Sequence, residues 1–246
     1  MRQLRRLTVV CLLGSVACGW YLVASIRTAD ADAEAYPHVA ANLELMQGHL
    51  IASLENYKLG QTPLAQAHAA HPLHEHYSNL PATFAKDHAD LNKLVQEMLA
   101  RLPQSLSAKV DIETYATQVQ DAARLLEQVG MILIPAEIRA TPTFQAAVLI
   151  HLLDEIAEEY SEAVKDAKVV NLPEYQDAFG FLQRARALRE PVSTQMQDSD
   201  RQQMLALWTI LEETIPSIMP PSSPKSAQAI ENHVGALVTL LKGIEG

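Results

Sequence analysis

Residues 141–177 read TPTFQAAVLIHLLDEIAEEYSEAVKDAKVVNLPEYQD, and their punctuation decides the fold. Thr141 stands where a hydroxyl caps a helix, and Pro142 takes the first helical position, where no N–H is needed. Apolar residues then recur three and four apart, which predicts a helix to about Lys168. Asn171-Leu172-Pro173-Glu174 repeats the start signal and predicts a helix through Tyr175 to about Arg189. Two long helices joined by a short turn fold back on each other, which is the unit of a bundle.

The same pattern extends outward in both directions. A helix from about Pro37 to Leu59 ends at Gly60-Gln61-Thr62-Pro63, and a short helical turn, Ala65 to Ala70, runs into His71-Pro72. Further helices are expected from Pro81 to Arg101, stopping before Pro103, and from Ser107 to Gly130, with residues 131–135 as an apolar connection. Beyond Arg189 come Ser199 to Glu213, an extended proline-rich loop over residues 216–224, and a last helix from Ser226 to Lys242. Glycine is scarce, with 9 in 246 residues, and no stretch shows sustained period-two alternation. The fold class is therefore all-α, an up-and-down antiparallel helical bundle with room for two packed four-helix units.

Residues 1–33 carry a basic start (Arg2, Arg5, Arg6), an apolar run from Leu7 to Ile26 and the small-residue triplets Ala29-Asp30-Ala31 and Ala31-Asp32-Ala33. That is the layout of a signal peptide or signal anchor. Either form places the bundle, residues 34–246, in the periplasm or another extracytoplasmic space, membrane-anchored where the signal stays uncut. Both cysteines, Cys11 and Cys18, lie in the apolar run, so no disulfide can staple the rest. Removal of residues 1–33 takes away four basic and two acidic residues and moves the formal charge from −10 to −12. An acidic surface argues against nucleic acid as a partner. An echo of His49-Leu50 and Glu55-Asn56-Tyr57 in His151-Leu152 and Glu158-Glu159-Tyr160 suggests two halves, 34–135 and 136–246.

The sequence lacks a glycine-rich phosphate loop, a G-x-S-x-G elbow, H-E-x-x-H and C-x-x-C-H, so neither a nucleotide partner nor an enzyme of those classes is expected. Imidazole is concentrated instead: His68, His71, His74 and His76 fall within nine residues around Glu75. His68 and His71 share a helical face, and Pro72 is expected to redirect the chain so that His74 and Glu75 return toward them. Neutral imidazole with carboxylate suits zinc, copper or iron. The bland alternative is a set of solvated histidines at a helix break. His49, among Leu45, Met46, Leu50 and Ile51, is either a hydrogen-bonded core histidine or an inward ligand. In the second half His151 shares a face with Asp154 and Glu155, and Glu159 extends the acidic stripe. Inward carboxylates there, with Glu174 and Asp177, would face the first-half histidines and bias a site toward iron or manganese over zinc.

Four stretches carry a family resemblance. They are Gly48-His49-Leu50 with Glu55 and Tyr57; His68-x-x-His71-Pro72-x-x-Glu75-x-Tyr77; Glu158-Glu159-Tyr160-x-x-Ala163-Val164; and Glu174-Tyr175-Gln176-Asp177-Ala178-x-Gly180-Phe181. Together they resemble the helical extracytoplasmic domain that precedes the membrane part of oxidase-coupled high-affinity iron permeases, and its exported relatives. The resemblance covers about residues 45–80 and 148–190. It implies a periplasmic helical module beside iron transport, with His49, His68, His71 and Glu75 as ligands. The chain lacks the multiple spans and intramembrane acidic motif of the full permease, so it is not itself the pore.

The expectation is an exported metal-binding accessory protein of iron uptake, not an enzyme. Its metal ligands would be drawn from His49, His68, His71, Glu75, His151, Glu155 and Glu159. Iron is favoured, with copper and zinc as alternatives, and an inner-membrane permease is the expected partner. The competing expectation is a helical interaction scaffold for a membrane partner, without a metal site.

Overall fold

The computed structural model describes residues 35–244, so the expected signal segment lies outside the described residues. Helix α1 (residues 35–58) ends where Gly60 takes a φ of +74°, a conformation that costs glycine nothing and reverses the chain into α2 (Thr62–His71). Pro72 does not redirect the chain, contrary to expectation. The backbone stays helical as a π turn over Pro72–His76 and a 3₁₀ turn over Tyr77–Asn79. Two short breaks then bound α3 (Ala82–Asp87) and α4 (Ala89–Ser107). Helix α4 runs through Pro103 instead of stopping before it; a proline removes one ladder bond, and burial of Leu99, Leu102 and Leu106 outweighs that loss. Helix α5 (Ile112–Leu133) starts at Asp111, whose carboxylate accepts from the Thr114 amide, and absorbs most of the expected connection before Pro135.

After a single turn, α6 (Ala136–Arg139), the Thr141 hydroxyl accepts from the Phe144 amide and Pro142 opens α7 (Pro142–Ala163). The helix stops short of Lys168. Val164 and Lys165 (β1) pair with Lys168 and Val169 (β2) in a two-stranded antiparallel hairpin, whose turn residues Asp166 and Ala167 have positive φ. This short hairpin is a departure from the all-helical expectation. Helix α8 (Leu172–Ser193) continues past Arg189 through Pro191, and α9 (Asp198–Thr214) and α10 (Ala227–Lys242, capped by the Ser226 hydroxyl) complete the chain.

The architecture is the expected helical bundle. Helices α7, α8, α9 and α10 form a four-helix bundle around Trp208, Tyr160, Tyr175 and Phe181, all of them fully buried. Helices α2, α4 and α5 pack in series. Helix α1 completes that group: its Ser53 hydroxyl donates to the Ala65 carbonyl of α2 at 2.7 Å and lies 2.6 Å from the Tyr115 hydroxyl of α5. Among the described residues no helix is long and apolar enough to cross a membrane.

The two groups meet where α1 crosses α8. A Cβ on Gly180 would lie 2.2 Å from the Gly48 carbonyl oxygen, and one on Gly48 would lie 2.5 Å from Phe181 Cδ1. The two backbones are in direct contact there, a separation that only glycine permits. Gly48 precedes His49, and Gly180 follows Asp177 by three residues. The crossing therefore sets how closely the polar side chains beside it approach.

Candidate metal centre

Four elements supply the polar cluster at this crossing. Helix α1 brings Asn42 and His49, α2 brings His68 and His71, the π turn brings Glu75 and His76, and α8 brings Gln176 and Asp177. In an α-helix a residue five positions on points about 140° away. The π turn takes i→i+5 hydrogen bonds and puts that residue roughly one turn on, so His76 rejoins the face of His71. His74, expected to return to the site, is exposed instead.

Asp177 is the hub. Its Oδ1 accepts from His49 Nδ1 at 2.5 Å and from His68 Nδ1 at 2.9 Å, and its Oδ2 lies 3.5 Å from His71 Nδ1. The carboxylate is 1% exposed. Burial alone would raise its pKa, but the facing His49, the hydrogen bonds from His49 and His68 and the approach of His71 hold it well below the usual carboxylate range. Gln176 braces the arrangement: its Oε1 faces His68 Nε2 at 2.9 Å, while its amide exchanges two hydrogen bonds of 3.0 Å with Asn56. His49 Nε2 turns the other way, 2.8 Å from His76 Nε2 and 3.8 Å from Glu75 Oε2.

Whether these residues fit a cation can be tested on their hydrogen bonding. His68 faces an acceptor at each ring nitrogen, so a neutral ring leaves one lone pair opposed to an oxygen. His71 Nδ1 is buried and has no hydrogen-bond partner, 3.5 Å from Asp177 and 3.6 Å from Glu75. A cation at the centre answers both. His49, His68, His71 and Asp177 each offer a ligand atom, all within 4.8 Å of one another, and a tetrahedral ion with bonds of about 2 Å needs separations of about 3.3 Å. Small rotations suffice. In the same space burial disfavours the charged form of His71, but Asp177, then Glu75 and Glu174, outweigh it and raise its pKa. The His76 pKa is pushed down to about 3, by burial first and then by His49.

Of the residues singled out in the sequence, the fold brings together His49, His68 and His71, with Glu75 at the rim, where its carboxylate is half exposed. Glu159 approaches from α7 as a neighbour and not as a donor. It shares a hydrogen bond with Glu174, and burial, this bond and the charges of Asp177, Glu174 and Glu155 push its pKa up to about 10. Glu155 lies beyond Glu159, and its own pKa is raised by burial and then by Glu158 and Asp154. His151 stands apart: its ring centroid is 4.0 Å from that of His38, and burial lowers its pKa. The sequence pointed to Asp177 as an inward carboxylate but not among the named ligands, gave Gln176 only within a family motif, and gave no sign of Asn42. A signal was nonetheless present in Gln176-Asp177, a polar pair inside a helical pattern one turn before Gly180.

Glu159 yields a stability prediction. A carboxyl held protonated in the fold and ionised in the unfolded chain contributes stability only at low pH, and the loss grows as pH rises from about 4.5 toward 10. Glu159→Gln keeps a donor for Glu174 and removes the titration. The variant is expected to melt above the parent at pH 8, by an amount that shrinks toward pH 5, with a slope below about 1.4 kcal/mol per pH unit. Equal melting temperatures at pH 5 and pH 8 would show that Glu159 is ionised in place.

The segment that holds α6 and the four-helix bundle α7–α10 is similar to a known family. Residues 135–246 match the iron permease-associated 4-helix bundle domain. The resemblance read from the sequence is borne out over this segment, and the matched segment supplies Asp177, Gln176 and Gly180 of the crossing, while every imidazole of the cluster comes from the residues before it. No curated protein and no solved structure matches the chain.

Proposed function

We propose that the chain is an exported accessory protein of iron uptake that takes a divalent metal ion as cargo at His49, His68, His71 and Asp177 and passes it to an inner-membrane permease. The observation that carries this reading is the convergence of three imidazoles on one buried carboxylate, all three from the helix pair α1–α2 and the carboxylate from the segment similar to the iron permease-associated domain. Gathered histidines favour cargo binding over a bare interaction scaffold, which needs none of this. Binding and release, not catalysis, is the expected activity, and delivery to a transport protein fits an extracytoplasmic address behind the N-terminal signal. Three nitrogens and one oxygen suit Fe(II), Cu(II) and Zn(II) alike, so selection for iron rests on supply and partner.

The test is calorimetric titration of the purified full chain with Cu(II), Zn(II), Mn(II) and, anaerobically, Fe(II). Dissociation constants below about 1 µM are expected, in the order Cu(II) tightest and Mn(II) weakest. A His68→Ala, His71→Ala double variant should lose at least about 100-fold. Because the ion needs a neutral His71 and that ring has a raised pKa, affinity should rise with pH, by up to about tenfold per unit, until His71 is neutral. Binding by no ion tighter than the double variant's would refute the proposal.

A further inference from the structure

The donors around His49 fall into two groups, not one. His49, His68, His71 and Asp177 form the first, and His49, Glu75 and His76 the second. The shared ring spans them, with Nδ1 at Asp177 and Nε2 at His76 and Glu75.

The hydrogen bonds around His76 give the second group its meaning. The Asn42 amide nitrogen donates to the His76 carbonyl at 2.9 Å, which fixes the amide with its oxygen toward His76 Nδ1, 3.0 Å away. An amide oxygen only accepts, so Nδ1 carries the proton and His76 Nε2 presents a lone pair. On the other ring, His49 Nδ1 donates to the Asp177 carboxylate, so a neutral His49 also presents a lone pair at Nε2. The two lone pairs face each other across 2.8 Å, beside the Glu75 carboxylate. A metal cation satisfies all three at once, where a proton on one Nε2 satisfies the two rings alone. In each ring the far nitrogen is held by an oxygen, the arrangement that orients histidine ligands toward metals.

Exposure grades from one group to the other. The Glu75 side chain is 52% exposed, His71 20%, and His68 and Asp177 essentially closed off. His71 Nδ1 stands between the two carboxylates, 3.6 Å from Glu75 and 3.5 Å from Asp177.

We infer that the cluster holds two metal seats, an outer one at Glu75 and His76 open to solvent and an inner one at His68, His71 and Asp177, with His49 common to both. The inference rests on the metal-cargo reading above. An ion arriving from solvent meets the outer seat first. It moves inward by exchanging Glu75 for Asp177 while His49 and His71 remain within reach. When both seats are filled, the proton between His49 Nδ1 and Asp177 leaves to solvent and the ring bridges the two ions.

Cobalt(II), followed by its visible bands, is the probe. The full chain is expected to take two equivalents, one tight and one weaker. Glu75→Gln with His76→Asn, at the solvent-facing end, should remove the weaker equivalent and leave the tight one within about threefold, because it spares every inner donor, the shared His49 ring included. The same variant should load the inner seat at least tenfold more slowly in stopped flow. A single equivalent in the parent, or a double variant that loses the tight equivalent, would overturn the two-seat arrangement while leaving metal binding intact. No cobalt binding by the parent would overturn both readings.

Discussion

Asp177→Asn is expected to remove inner-seat metal binding and to destabilise the fold by about 3 kcal/mol at pH 7, because it takes the buried negative charge from beneath His49 and His68, both buried, and the partly buried His71. Asparagine keeps the volume, so packing is not the cause. Its amide oxygen accepts less strongly than a carboxylate, and its NH₂ would point a donor at rings that already donate there. Asp177 is ionised far below its ordinary pKa, so its contribution is fully present above the unfolded value of about 3.9 and is lost as pH falls through that value toward the native one. The deficit of the variant should therefore be large at pH 7 and narrow below about pH 4. Denaturant unfolding at the two pH values, with metal titration of the folded variant, checks both halves. A variant as stable as the parent at pH 7, or one that binds metal as tightly, would show that the carboxylate does not organise the cluster.

Gly180→Ala should be the most damaging alanine substitution among the described glycines. Its Cβ would fall 2.2 Å from the Gly48 carbonyl oxygen and 2.8 Å from the carbonyl carbon, both of them backbone atoms that no side-chain rotation can move. Alanine ordinarily favours a helix over glycine by about 1 kcal/mol, so propensity predicts a gain and the crossing predicts a loss. Overpacking of about 3 kcal/mol is the larger effect, equivalent to a fall in melting temperature of roughly 6–12 °C for a domain of this size. Metal affinity should fall with it, since the helices must separate between His49 and Asp177. Gly235→Ala is the control: nothing lies within 4 Å of its Cβ, and the helix preference should prevail. Equal stability of the two variants would refute the tight crossing.

Much of the fold was legible, because helix starts are written in local chemistry. Thr141-Pro142 and Ser226 cap where their side chains predicted, and Gly60 turns the chain where expected. Helix ends were read less well, since Pro103 and Pro191 are tolerated inside α4 and α8 by the burial around them, and the hairpin at residues 164–169 turns on Asp166 and Ala167 in a conformation that neither residue advertises. For the site, His49, His68, His71 and Glu75 were found as residue types that bind metal. What joins them was not readable: a π turn that brings in His76 and leaves His74 outside, and a glycine contact that selects Asp177 over the acidic stripe of α7. His151 shows the converse, since an apolar run around it did not aim its ring at the cluster. Tertiary contacts made by neighbours distant in sequence leave no periodicity to read.

The cluster straddles the chain: its imidazoles precede residue 135 and its carboxylate follows it, inside the matched domain. An ion held there is also a clasp between the two segments, so loading and cohesion are one free energy seen from two sides. At cargo concentrations a thousandfold above the dissociation constant, that linkage is worth about 4 kcal/mol, comparable to the whole margin of stability of many domains. A receiver that pries α1 from α8 would thereby eject the ion, and a chain without cargo would be easier to pry. With the proposed cargo in place, strength of grip on the metal and willingness to open would be set by the same glycine pair.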